Sequence, residues 1–361
     1  MKKPPYIERD GCIYVSFRSA DPSAAGAPAD ICPVTPPDKE TLLTDYMQDW
    51  LHMMVTQIRH NTLDSYWYMF RRHIEPFYGP RQITLQSAVL ADFQAFVDEK
   101  YRQGYSPTSI LKFHSIVHKC LRHAVSRGII DHNPSDFVML PKRVRYISQT
   151  FNQEQLNRFL QAARSSPAEP AFVLAATYGL RRSEAAGLRW QSVDFDTNSV
   201  LINHTAISSS GRVTYSDRVK SDASYRTLPL MPGMRDYLTQ LRQTQQDMQL
   251  RLGEAYYHND YICRRDNGRP LRPDYISQEF SRVCQSAGLP HIRFHDLRHS
   301  AATLLLKEGF SLKQIQEWLG HANITTTANT YVHVTYSDKV QMAVHLDGLF
   351  QLDGLRQRAP F

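Results

Sequence analysis

At 361 residues, with 42% hydrophobic and 21% charged side chains, the chain is long enough for two or three domains with separate cores. A formal charge of +7 and 15 histidines permit a polyanionic partner without requiring one. No apolar run nears the roughly 20 residues that span a bilayer, which argues against a membrane protein, and the five cysteines lack CxxC spacing, which excludes a disulfide framework or a zinc ribbon.

The first residues, Met1-Lys2-Lys3-Pro4-Pro5-Tyr6, lack the apolar core of a signal peptide, so a cytoplasmic chain is expected. Residues 1–38 hold a small-residue run from Ala24 to Ala29 and several prolines, and read as a flexible arm with one short strand at 12–17. From residue 39 the apolar spacing becomes helical. The first two helices, 41–55 and 61–78, put Leu43, Tyr46 and Trp50, then Leu63, Trp67, Phe70 and Ile74, on single faces. A third is predicted over 87–102. The fourth spans 107–127, where Ser106 caps and Pro107 takes the first helical position. Four amphipathic helices with short connections make a compact domain over 39–130.

This domain carries Arg71, Arg72, Lys112 and Lys119, with His73, His114 and His118 among them. A solvated polar face is the plainer reading; cations interleaved with aromatics also suit phosphate contacts. Residues 131–150 read as a basic linker, and its run Pro141-Lys142-Arg143-Val144-Arg145 can track a nucleic-acid backbone through Lys142, Arg143 and Arg145.

A second domain is predicted over 151–335. Helices at 152–163 and 170–178 lead into Gly179-Leu180-Arg181-Arg182-Ser183-Glu184, and Glu184 is expected on the same helical face as Arg181. The period then changes to two at 199–203, 212–216 and 226–230, which predicts one small antiparallel sheet. Helices return at 233–252 and 274–287, with a short strand at 261–263 between them. Near the end, His295-Asp296-Leu297-Arg298 and Gly320-His321 flank buried helical runs, and Tyr331 follows. Residues 336–361 carry a last amphipathic helix. The fold class is therefore mainly α with a small antiparallel β-sheet, an N-terminal helical bundle followed by an α+β domain. No internal repeat suggests a solenoid.

The pieces Thr177-Tyr178-Gly179-Leu180-Arg181-Arg182-Ser183-Glu184, Lys220-Ser221, Arg226-Thr227-Leu228-Pro229-Leu230, His295-Asp296-Leu297-Arg298-His299, Leu319-Gly320-His321 and Tyr331 occur in the order found in the tyrosine recombinases, or phage-type integrases. The sequence resembles that family over about residues 40–345. The resemblance implies a SAM-like core-binding bundle, a catalytic domain, and a C-shaped clamp around double-stranded DNA. It implies a site-specific recombinase, the integrase of a mobile element, that acts without metal or other cofactor. Arg181 and Arg298 would clamp the phosphate, Tyr331 would attack it to form a 3′-phosphotyrosyl link, and Lys220 would protonate the departing 5′ oxygen. His295 would be the acid/base, His321 would hydrogen-bond the phosphate, and Glu184 would support Arg181. Implied partners are DNA recombination sites, three further copies in a tetramer with the tail helix exchanged between protomers, and accessory bending or excision factors, at a bacterial nucleoid. A type IB topoisomerase-like strand transferase and a catalytically inactive DNA-binding relative are the alternatives. A zinc site is disfavoured, because His295 to His299 lacks the His-Glu-x-x-His pattern.

Overall fold

The computed structural model describes residues 6–9, 12–15, 38, 40–143, 149–209, 211–217 and 225–320. The chain divides into two compact units, residues 1–145 and 146–361. At the start, β1 (Tyr6–Arg9) and β2 (Cys12–Val15) pair antiparallel, with Tyr6 opposite Val15. The single strand expected at 12–17 thus has a partner that the sequence reading did not recognise.

The first unit is built from α1 (Leu43–Met53), α2 (His60–Met69), α3 (Glu75–Tyr78), α4 (Leu90–Arg102) and α5 (Pro107–Ser126). Local chemistry sets the starts of α4 and α5. Asp92 accepts from the Val89 amide at 3.0 Å, and Ser106 Oγ accepts from the Ser109 amide at 3.2 Å ahead of Pro107. The predicted second helix is not uniform. A π-helical turn, Phe70–Ile74, widens it before α3; Phe70, His73 and Ile74 lie in the core while Arg71 and Arg72 stay outside. The core is aromatic, with Tyr46, Trp50, Phe77, Tyr78, Phe93 and Phe96 buried among Ile110, Val117 and Leu121.

The second unit begins with α6 (Gln153–Ala163), capped by Asn152 accepting from the Gln155 amide at 2.8 Å, and α7 (Glu169–Tyr178). Then come α8 (Arg182–Gly187), β3 (Val193–Asp194), β4 (Ser199–Ile202), β5 (Thr205–Ser209), β6 (Arg212–Ser216) and β7 (Arg226–Pro229). The one sheet expected here is two. β4 pairs antiparallel with both β3 and β7, whereas β5 and β6 form a separate hairpin. The α8 backbone lies against β5. A Cβ on Gly187 would stand 2.7 Å from Ala206 N, so only glycine permits that approach.

Helices α9 (Pro232–Leu252), α10 (Pro273–Ser286), α11 (Phe294–Lys307) and α12 (Leu312–Leu319) complete the described part. Phe159, Phe172, Phe280 and Phe294 meet at centroid distances of 4.9 to 6.1 Å and join α6, α7, α10 and α11 into one core. Helix α12 packs on α11 through Ala302, Ile315 and Leu319. Among the described residues, no helix is long and apolar enough to cross a membrane.

Candidate active site

Helix α7 stops at Gly179, whose left-handed φ of +62° reverses the chain and whose carbonyl accepts from Arg298 Nη1 at 2.7 Å. Arg181 then stands at the N-cap of α8 in an extended conformation, not on the helical face expected from the sequence. Glu184, at the third helical position, accepts from the Arg181 amide at 3.1 Å and from its Nη1 at 2.5 Å. One carboxylate therefore caps the helix and fixes the guanidinium.

Arg226, the first residue of β7, reaches the same carboxylate. Its Nη2 lies 3.2 Å from Glu184 Oε2, and its Nε donates to the Trp318 carbonyl at 2.9 Å. Arg181 Nη2 donates to the Gly320 carbonyl at 2.9 Å. Two guanidiniums thus meet the C-terminal carbonyls of α12, where the helix dipole favours positive charge. Burial would raise the Glu184 carboxyl, but Arg226, Arg181 and Arg298 outweigh it and hold it below the usual carboxylate range.

Helix α11 brings His295 and Arg298 to this cluster. Asp296, completely buried, accepts from the Arg293 amide at 2.8 Å and pairs with its guanidinium at 3.0 Å, which fixes the first turn. The His295 ring meets His299 edge-on at a centroid distance of 5.1 Å. Crowding by protein atoms, then His299, Arg298 and Arg181, lowers the His295 pKa to about 4, although the residue keeps an open face to solvent. The neutral imidazole is the form present at pH 7, a proton acceptor beside two fixed cations. Arg298 itself is fully enclosed, so a phosphate can reach it only after the atoms covering it move.

Arg181, Glu184, His295 and Arg298 therefore come together from the first turn of α8 and from α11. Lys220, His321 and Tyr331 lie outside the described residues, as do Arg145 and the predicted tail helix at 336–361. In the first unit Arg71, Arg72, Lys112, Lys119, Lys142 and Arg143 are exposed. Arg71 Cζ sits 4.8 Å from the Trp67 ring centroid, and Lys119 Nζ donates to Tyr66 Oη at 2.9 Å. His73 and His114, counted with the surface cations from sequence, are instead buried. His73 packs against Phe113 at 4.4 Å between centroids, and the His114 ring bonds the Ser135 carbonyl at 3.2 Å. Sequence reasoning missed Arg226 as a site residue. Its signal was an arginine sharing the inward side of β7 with Leu228. Among the described residues, no group of three or more His, Cys, Asp or Glu is placed to hold a metal.

The sequence pattern of the phage integrase family matches residues 149–338, and that of the phage integrase SAM-like domain matches residues 42–139. The chain belongs to the phage integrase family. Its members, the tyrosine recombinases, are DNA strand-exchange enzymes, and this chain is an enzyme of that class. A tyrosine recombinase XerC-like protein of Caldanaerobacter subterraneus subsp. tengcongensis is 26% identical over 332 residues, covering 86% of this chain and 84% of that protein. The ICEBs1 integrase of Bacillus subtilis is 25% identical, covering 78% and 76%. In fold, the chain is similar to the Tn1549 transposon integrase solved with transposon right end DNA, with a TM-score of 0.70 at 19% identity over 85% of this chain and 99% of that one. A lambda integrase tetramer bound to a Holliday junction gives 0.61 at 18%, over 91% and 94%. The SAM-like bundle and the helical domain with small antiparallel sheets are thus the fold of a tyrosine recombinase.

Proposed function

We propose that this tyrosine recombinase cuts and rejoins double-stranded DNA at specific sites as the integrase of a mobile element. The observation that carries the reading is the convergence of Arg181, His295 and Arg298 around buried Glu184. Without a metal, phosphodiester cleavage needs fixed cations at the non-bridging oxygens, a nucleophile and a proton for the leaving oxygen. Arg181 and Arg298 supply the cations, with donor pairs held by Glu184 and the Gly179 carbonyl. Tyr331 Oη attacks phosphorus and its proton passes to His295. The P–O5′ bond breaks, Lys220 protonates O5′, and the DNA 3′ end stays linked to Tyr331 until a second 5′ hydroxyl reverses the step. His321 donates to the phosphate.

Further parts of the reading concern assembly. Residues 39–130 would hold one face of the DNA through Arg71, Arg72, Lys112 and Lys119, with 131–150 following the backbone and 151–335 carrying the chemistry. Residues 336–361 would exchange between protomers of a tetramer on two sites, with accessory factors bending the DNA at the nucleoid. The similarity to the Tn1549 integrase, solved with transposon DNA, and to the lambda integrase tetramer on a Holliday junction supports DNA binding and a tetramer.

The test is covalent capture. Nicked duplexes from a randomised library are incubated with the protein in EDTA, and adducts surviving denaturation are sequenced. Wild type is expected to trap one sequence class and Tyr331→Phe none. No adduct from wild type, or an adduct persisting in Tyr331→Phe, overturns the mechanism. Exchange between two captured sites is the expected outcome; relaxation of a supercoiled plasmid without exchange would indicate the topoisomerase reading instead.

A further inference from the structure

We infer that Arg226 is a positioning residue for strand cleavage: it orients the phosphate clamp through Glu184 and ties it to the end of α12. The assignment rests on the strand-transfer reading above and on four contacts of one guanidinium network. Arg226 donates Nη2–H to Glu184 Oε2 and Nε–H to the Trp318 carbonyl. The same Oε2 accepts the Arg181 amide, while Oε1 holds Arg181 Nη1. Any rotation of the Glu184 carboxylate therefore moves Arg181.

The charge balance shows why the α12 carbonyls matter. Glu184 is an anion facing Arg181, Arg226 and Arg298, and both Glu184 and Arg226 are buried. The surplus positive charge needs acceptors that water does not provide there. The Trp318 and Gly320 carbonyls, left without helical partners at the end of α12, supply them. Gly320, left-handed at φ +70°, ends α12, and Arg226 ties that end to β7 through the Trp318 carbonyl. Lysine cannot replace it: an ammonium is a point donor, whereas the planar guanidinium serves the carboxylate and the carbonyl from two fixed directions.

A purely packing arginine predicts a different result, so the test compares cleavage with folding and binding. Full-length wild type, Arg226→Lys and Arg226→Gln are assayed on duplexes recovered by wild-type covalent capture, for thermal unfolding, DNA affinity and single-turnover adduct formation. Tyr178→Phe is the control: it removes the hydroxyl's bonds with the Pro229 carbonyl and the Met231 amide at the end of β7 but keeps the ring stacked on Trp318, and its rate is expected to match wild type. Both Arg226 variants are expected to bind DNA as wild type does and to form adduct about 100-fold more slowly, the scale of a small misplacement of reacting groups. The loss should persist on a 5′-bridging phosphorothiolate, whose thiolate departs without a proton, because the clamp is displaced and proton delivery is not at fault. Wild-type rates in both variants, losses that track affinity or folded fraction, or full rescue by the phosphorothiolate would each overturn the assignment. Absence of adduct from wild type overturns the strand-transfer reading itself and this assignment with it.

Discussion

Arg298 Nη1 donates to the Gly179 carbonyl at 2.7 Å, so an arginine of α11 is held by the residue that ends α7. Gly179 is left-handed, and a Cβ there would stand 2.3 Å from Leu319 Cδ2 and 3.5 Å from Arg298 Cγ. Backbone reversal, clamp arginine and the end of α12 share one contact point.

Gly179→Ala is therefore expected to be destabilised by about 2–4 kcal/mol, from left-handed strain together with overpacking against Leu319. Adduct formation should fall further than the folded fraction does, because Arg298 loses its fixed carbonyl. Denaturant midpoints with single-turnover assays on the same preparation check both effects. An alanine variant as stable as wild type would show that α12 moves away freely.

Glu184→Gln is expected to cost about 3–5 kcal/mol, since it leaves Arg181 and Arg226 in a buried site without their anion. Unlike an exposed pair, this loss should resist added salt. Chemical denaturation at low and at high ionic strength measures it, and a change under 1 kcal/mol would mean that the carbonyls of α12 suffice.

In the first unit, Arg71→Ala and Lys119→Ala are each expected to weaken DNA binding across all sequences and to reduce the slope of log affinity against log salt by about 1. The two side chains are held over Trp67 and Tyr66, so little ordering entropy is lost when a phosphate docks. Salt titrations by fluorescence anisotropy on random-sequence duplex test this. An unchanged slope would place the DNA on another face.

Stability should decline as pH falls below about 6.5, the unfolded histidine value. His73, His114, His295 and His299 are all held below that value, with burial the first cause in each case, and His295 is lowered to about 4. Over that window the unfolded chain takes up protons that the native chain does not, so acid favours unfolding. The lowered carboxyls of Glu184 and Asp296 act in the same direction only at lower pH. Urea midpoints at pH 7.5 and 5.5 decide it: a higher midpoint at 5.5 contradicts the preference of these sites for the neutral imidazole.

Much of this molecule is written locally. The helices of the bundle follow from apolar spacing, and Ser106-Pro107 or Asn152 with Gln155 mark helix starts, because a helix is decided by neighbours three and four residues away. Arg181, Glu184, His295 and Arg298 were named through the resemblance to the tyrosine recombinases, whose motifs stand in this order along the chain. The π-helical turn at Phe70–Ile74 and the division of the strands into two sheets were not legible, since packing chose them over equally regular alternatives. The sequence by itself determined most of the helices and, through the order of its motifs, the family. Only the tertiary structure decided that Arg226 meets Glu184 across 42 residues and Trp318 across 92, because a buried cation takes whatever acceptors the completed fold leaves unpaired.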